Sequence, residues 1–105
     1  MKTTILAFAF FTFLLSGCQK ENPGKNEVIL EMNSFSPSSL TISSGTTVTW
    51  TNKESVTHTA TSNNGIFESG DMSKNETFSY TFSTVGTFPY HCRHHSGMNG
   101  TIIVE

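Results

Sequence analysis

Hydrophobic and polar residues alternate with a period of two along much of the chain after residue 26. Alternation of this kind indicates strands that bury one face, whereas a helix would repeat its apolar residues every three or four positions. No later stretch carries a helical repeat of useful length. The alternating apolar sets are Val28, Leu30 and Met32; Leu40 and Ile42; Val48 and Trp50; and Phe78, Tyr80 and Phe82.

Turn-forming residues separate these segments at regular intervals. Turns rich in serine, proline and glycine are predicted at 36–38 and 43–45, and the Asn64-Gly65 step is a strong signal for another turn. Gly86 opens a further run, and residues 101–104 close the chain as a strand. About seven short strands with regular turns predict one all-β domain, a Greek-key β-sandwich.

The first 17 residues are predicted to be a removable signal. Lys2 gives a positive start, and residues 5–15 form an apolar run that has signal-peptide length but is short for a membrane span. The small residues Ser16 and Gly17 before Cys18 resemble the lipobox of bacterial lipoproteins. That resemblance implies cleavage before Cys18 and lipidation of its sulfur. The alternative is an ordinary secretory signal with Cys18 incidental.

This interpretation divides the chain into three parts. Residues 1–17 are the lipoprotein signal peptide, residues 18–26 are the lipidated N-terminus with a flexible polar tether, and residues 27–105 are the folded domain. The mature chain would have 105 − 17 = 88 residues. We expect an exported protein that its lipid anchors to a bacterial membrane, facing the periplasm or the cell surface.

The composition excludes some classes of protein and makes a bound metal useful. Six basic against eight acidic residues give a net charge of −2, so no basic face for nucleic acid is expected. Two cysteines are too few for a disulfide-rich secreted domain. A domain this small buries a marginal core, and a bound metal ion would add stability to it.

The position of Cys92 in its predicted strand determines where its thiol points. Phe88, Tyr90 and Cys92 have the same parity, so a strand that buries the two aromatic rings also buries the thiol. His91 has the opposite parity and should point away. Cys92 then lies where the strand ends and the next loop begins.

Four residues near this loop form a set of soft ligands. Cys92, His95 and Met98 follow one another at a spacing of three, and His58 lies upstream after a predicted strand. A thiolate, two imidazoles and a thioether suit copper, because two histidines and a cysteine with a distant axial methionine form the blue-copper arrangement. His94, beside His95, is expected to be a surface residue next to the metal.

Two other interpretations of Cys92 are less consistent with the sequence. An immunoglobulin-like domain would pair Cys18 with Cys92 beside Trp50, but Cys18 precedes every predicted strand. A cysteine hydrolase would need an oriented base and an oxyanion hole, and neither the loop nor a helix N-terminus supplies them. We therefore expect a protein that is not an enzyme.

The loop sequence resembles the copper loop of the cupredoxins, in particular their amicyanin- and plastocyanin-like members. The resemblance is carried by residues 86–101, GTFPYHCRHHSGMNGT, with support from residues 35–52 and from the segment Val56-Thr57-His58-Thr59. It implies an eight-stranded Greek-key sandwich with one mononuclear type 1 copper at one end. The ligands it implies are His58, Cys92, His95 and Met98.

The same resemblance implies a function. The function it implies is that of a membrane-tethered, monomeric electron carrier, in which copper alternates between Cu(II) and Cu(I). Its partners would be redox proteins such as a cytochrome, an oxidase, a reductase or a dehydrogenase. Electrons would pass through the exposed edge of His95, with Thr57, His94, Ser96 and Gly97 around the docking surface. Copper delivery or storage remains the alternative.

Thr59 and His94 are among the positions that depart from the family pattern, and two surroundings are possible for Met72. Thr59 stands where many relatives have the asparagine that braces the loop, which leaves the reduction potential open. His94 stands where relatives often have proline, and we expect a looser loop. Met72 belongs either to an apolar patch around the site or to a solvated loop.

Overall fold

The computed structural model describes residues 26–105. The predicted signal peptide, the lipidation site at Cys18 and all of the tether before residue 26 lie outside the described residues. In the described part, no helix is long and apolar enough to cross a membrane.

Residues 26–105 form eight strands, which agrees with the predicted all-β class and adds one strand to the number expected from periodicity alone. They are β1 (Glu27–Glu31), β2 (Ser34–Ser36), β3 (Ser39–Ile42), β4 (Thr46–Asn52), β5 (Thr61–Ser62), β6 (Thr77–Phe82), β7 (Gly86–His91) and β8 (Asn99–Val104).

The strands make two four-stranded sheets that face each other as a sandwich. One sheet has the order β2-β1-β4-β6, and the other has the order β3-β8-β7-β5. Each sheet contains one parallel pair, β1 with β4 and β3 with β8, while the other neighbours are antiparallel. The all-β sandwich predicted from the alternating pattern is confirmed.

The prediction for Met32 is wrong. Val28 and Leu30 are fully buried as expected, but Met32 is 85% exposed. Strand β1 ends at Glu31, and Met32 and Asn33 both adopt positive φ angles, 57° and 54°, in the turn to β2. The alternation therefore stops one residue before the sequence pattern suggests.

Trp50 lies at the centre of an aromatic core. Its ring centroid is 5.2 Å from that of Phe67 and 5.4 Å from that of Tyr90, which meets it edge-on. Edge-to-face and tilted arrangements at these separations are favourable for aromatic rings. Because Tyr90 precedes Cys92 by two residues in the chain, this cluster fixes the strand that leads into the candidate site.

Strands β7 and β8 approach each other closely beside the core. Gly100 pairs with Tyr90, and a Cβ atom added at Gly100 would lie 2.3 Å from Cζ of the Tyr90 ring. Glycine is needed here because the tyrosine ring occupies the space that any side chain would fill. Gly100 follows Met98 by two residues, so this contact also sets where the candidate loop rejoins the sheet.

Candidate metal centre

Three of the four predicted ligands converge at one end of the sandwich. One ligand atom from each of His58, Cys92 and His95 lies within 4.8 Å of the others. The Sγ atom of Cys92 is 3.4 Å from Nδ1 of His95 and 3.8 Å from Nδ1 of His58. His58 and Cys92 are buried, and His95 is half-buried.

Met98 is joined to the same cluster through its backbone. The N–H of Cys92 donates to the carbonyl of Met98 at 3.0 Å, and the N–H of Met98 donates to the carbonyl of His95 at 3.2 Å. These bonds close the loop between β7 and β8 into a compact turn. The Met98 side chain is 3% exposed and packs in the core.

The two sulfur–nitrogen separations in the cluster fit a single ion. An ion with nitrogen ligands at about 2.0 Å and a sulfur ligand at about 2.3 Å, in a trigonal arrangement, places those atoms roughly 3.5–3.8 Å apart. The sulfur–nitrogen distances of 3.4 and 3.8 Å lie close to that range. The Cys92 sulfur therefore lies at a suitable distance from both imidazoles for one shared ion, and the chemistry of the three side chains suits copper.

The predicted upstream ligand, His58, is held through its backbone. It forms an isolated antiparallel bridge with Met72, in which each residue's N–H donates to the other's carbonyl, at 3.3 and 2.9 Å. Met72 is 2% exposed, so the alternative in which it lies in a solvated loop is wrong. Burial and pairing leave the His58 ring little freedom to leave the site.

Glu54 binds the ring nitrogen of His58 that faces away from Cys92. Its Oε1 is 2.5 Å from Nε2 of His58, and it also accepts hydrogen bonds from the N–H groups of Met32 and Asn33. The bond with His58 is the main cause that holds the pKa of the Glu54 carboxyl below its usual value. A carboxylate on the distal nitrogen orients a ligand histidine and leaves Nδ1 for the metal.

Asn52 supports the same loop from inside the protein. Its side chain is fully buried, and Nδ2 donates to the carbonyls of Val56 and Met72 at 2.8 and 2.9 Å. Its Oδ1 accepts from the N–H of Glu54 at 2.8 Å. One amide thus fixes both sides of the segment that carries His58.

Thr59 contacts both the ligand loop and the sulfur of Cys92. Its N–H donates to Sγ of Cys92 at 3.4 Å, and its Oγ1 accepts from the N–H of Arg93 at 2.9 Å. A hydrogen bond to sulfur stabilises the thiolate form. A threonine hydroxyl therefore braces the loop where an asparagine was expected.

The two remaining histidines of the loop region lie outside the donor cluster. Nδ1 of His91 is 2.6 Å from Oδ1 of Asn63, on the face opposite to Cys92, as the parity predicts. His94 is exposed, and its Nε2 donates to Oδ1 of Asp71 at 2.7 Å. That bond is the main cause that lowers the pKa of the Asp71 carboxyl.

Three supporting residues were not predicted from the sequence: Glu54, Asn52 and Asp71. Charged residues in loops are usually solvated, and nothing in the pattern distinguishes Glu54 or Asp71 from that majority. An asparagine at a strand end is also common in turns. The one available signal was the position of Asn52, directly after the buried Trp50 and Thr51.

Comparisons with known proteins agree with this geometry. A family model described as a cupredoxin-like domain matches residues 4–104. The chain is 31% identical over 96 residues to amicyanin-alpha of Methylorubrum extorquens, covering 87% of this chain and 81% of the relative. It is 36% identical over 84 residues to plastocyanin of Scenedesmus fuscus, covering 68% of this chain and 86% of the relative.

A solved structure shows the same fold. A purple cupredoxin from Nitrosopumilus maritimus superimposes with a TM-score of 0.71 at 32% sequence identity. The match covers 75% of this chain and 98% of that one.

Proposed function

This chain belongs to the cupredoxin-like family, and on that premise we propose that it is a blue copper protein that carries single electrons between redox proteins. The residues that would hold the copper are His58, Cys92, His95 and Met98. A single observation carries the proposal: one thiol and two imidazole nitrogens lie within 4.8 Å of one another at one end of the sandwich.

One bound copper ion would supply the redox chemistry by alternating between Cu(II) and Cu(I). The protein's contribution is to keep the donor atoms in place during that change. His58 is held by Glu54 and by the bridge to Met72, and the Cys92 sulfur receives the N–H of Thr59. Ligands fixed in this way need little rearrangement when the charge of the ion changes.

The half-buried ring of His95 is the proposed point of electron entry and exit. It is the most exposed of the four ligands, and the residues of the proposed docking surface are all exposed or half-buried: Thr57, His94, Ser96 and Gly97. A small surface of this kind suits the brief docking of a cytochrome, an oxidase, a reductase or a dehydrogenase. In this role no bond of a substrate is made or broken, so the proposed function is that of a carrier and not of an enzyme. We propose that it acts as a monomer.

Burial of the ligands favours electron transfer over copper delivery or storage. A delivery site must pass its ion to another protein, which requires ligands that a partner can reach. Here His58 is fully buried, and Cys92 and Met98 are each 3% exposed. A closed site of this kind retains its metal.

We also propose that the domain is tethered to a membrane. Residues 1–17 would be removed as a signal peptide, Cys18 would carry the lipid, and residues 18–26 would link it to the domain at 27–105. This places the domain in the periplasm or at the cell surface. The variant Cys18→Ser should move the protein from the membrane fraction to the soluble fraction, and continued retention on the membrane would count against the anchor.

Absorption spectra of copper-loaded variants test the ligand set. Cu(II) added to the purified protein should give an intense thiolate-to-copper band toward the red end of the visible spectrum. Cys92→Ala should abolish the band, whereas His91→Ala, the matched control in the same strand and loop region, should leave it nearly intact. A band that survives Cys92→Ala, or a colourless and weakly bound adduct of the wild-type protein, would exclude the proposed centre.

A further inference from the structure

The ligand loop, residues 92–98, contains no proline that would restrict its backbone. Hydrogen bonds that involve side chains therefore have to fix the loop against the rest of the protein. The N–H of Arg93 donates to Thr59 Oγ1, and His94 Nε2 donates to Asp71 Oδ1 at 2.7 Å. The Arg93 guanidinium lies farther from its acidic neighbours, at 3.5 Å from Glu68 and 3.9 Å from Asp71.

Asp71 stands on a segment that is itself fixed to the upstream ligand. Its neighbour Met72 is buried and exchanges two backbone hydrogen bonds with His58. On its other side, Ser69 donates its N–H to the carbonyl of Ala60, and Gly70 turns the chain with a φ of 74°. The Asp71 carboxylate is thus presented from a braced segment, although the side chain is exposed.

We propose that Asp71 is a positioning residue that holds the loop bearing His95 against the segment bearing His58, through its hydrogen bond to His94. This proposal rests on the proposed function, because it concerns the same metal centre. The path runs from His58 through the Met72 backbone to Asp71, and from there through His94 to His95. It joins the segment that bears His58 to the loop that begins at Cys92, 34 positions further along the chain.

The geometry assigns this role to Asp71 in preference to Glu68. The contact from Asp71 to His94 is a hydrogen bond of 2.7 Å, whereas the contact from Glu68 to the loop is an ion pair with Arg93 at 3.5 Å. His94 is also directly bonded to the ligand His95 in the chain. Because the contact is exposed, its loss should loosen the loop locally and leave the fold intact.

Amide hydrogen exchange of the metal-free full chain tests the contact without any metal. In Asp71→Ala, exchange of the hydrogen-bonded loop amides of Arg93 and Met98 should be about threefold to fivefold faster than in the wild type, with strands β4 and β7 unchanged. Asp71→Asn keeps an oxygen acceptor for His94 and should restore most of the protection. Glu31→Ala removes an equal charge from an exposed site outside the contact and should have no effect on the loop.

The release of copper to a competing chelator then tests the consequence for the site. Asp71→Ala should release copper several-fold faster than the wild type, and most of this effect should disappear in a His94→Ala background, since both variants remove the bond between Asp71 and His94. Unchanged loop exchange, additive effects of the two variants, or an Asp71→Asn that behaves like Asp71→Ala would overturn the proposal. If the wild type binds no copper, the proposed function fails, and the exchange measurement still decides the role of Asp71.

Discussion

Replacing Gly100 by alanine should disrupt the contact between strands β7 and β8. The added Cβ would lie 2.3 Å from Cζ of Tyr90, 2.4 Å from its Oη and 2.8 Å from its Cε2. Carbon atoms in favourable contact lie about 3.5–4.0 Å apart, so the ring or the strand must move by roughly 1 Å or more. The ring has little room, because the centroids of Phe35 and Trp50 are 4.6 and 5.4 Å away.

Overpacking a core of this density typically costs 1–3 kcal/mol, and three simultaneous close contacts with a buried ring place Gly100→Ala at about 3 kcal/mol. Because Trp50 is the single tryptophan in the chain and lies beside Tyr90, its fluorescence reports the transition. Urea denaturation of the metal-free protein, followed by that signal, gives the change in the free energy of unfolding.

Gly45→Ala is the matched control for the substitution. Gly45 has a φ of 92° but nothing within 4 Å of an added Cβ, so its cost should be limited to about 1–2 kcal/mol of backbone strain. In a second control, Tyr90→Leu should make Gly100→Ala much less costly, since the ring no longer occupies the space. A cost below about 1 kcal/mol for Gly100→Ala, or full additivity with Tyr90→Leu, would refute the reasoning.

Other predictions concern the residues around the site. Burial raises the pKa of Tyr90 to about 12, whereas its value in the unfolded chain is near 10. The contribution of the neutral Tyr90 side chain to stability is therefore complete below pH 10, and about 2–3 kcal/mol of stability is lost as the pH rises through 12. Urea titrations of Tyr90→Phe should lack this loss. Asn52→Ala removes three hydrogen bonds in the interior and should cost about 2–4 kcal/mol by denaturation, and a cost under 1 kcal/mol would contradict that role. Glu54→Ala should weaken copper binding about tenfold in chelator competition, with Glu54→Gln intermediate, and an unchanged affinity would show that the carboxylate does not support His58.

The strand pattern and the burial of Cys92 could be predicted because each depends on neighbouring residues. A period of two determines which side chains share a face, and it correctly predicted that Cys92 is buried on the same face as Tyr90. Met32 shows where this reasoning stops. The turn at Met32 and Asn33 is held by the carboxylate of Glu54, which lies 22 positions further along the chain, and no local pattern reports that contact.

The site shows the same division between local and distant information. Cys92, His95 and Met98 lie within seven consecutive residues, so their spacing alone indicated a shared ligand loop. The supporting groups come from other parts of the chain: Glu54 reaches His58, and Asp71 reaches His94 across 23 positions. Their roles depend on how the loops pack, and a charged residue in a loop looks the same in sequence whether it braces a ligand or faces solvent.

Cyclic voltammetry of the copper-loaded protein, with the absorption band recorded before and after each cycle, tests the central claim most directly. A buried donor set that holds copper in both oxidation states predicts a reversible one-electron wave and full recovery of the band on reoxidation. Release of copper on reduction, with a band that does not return, would contradict the electron-carrier account and favour copper delivery.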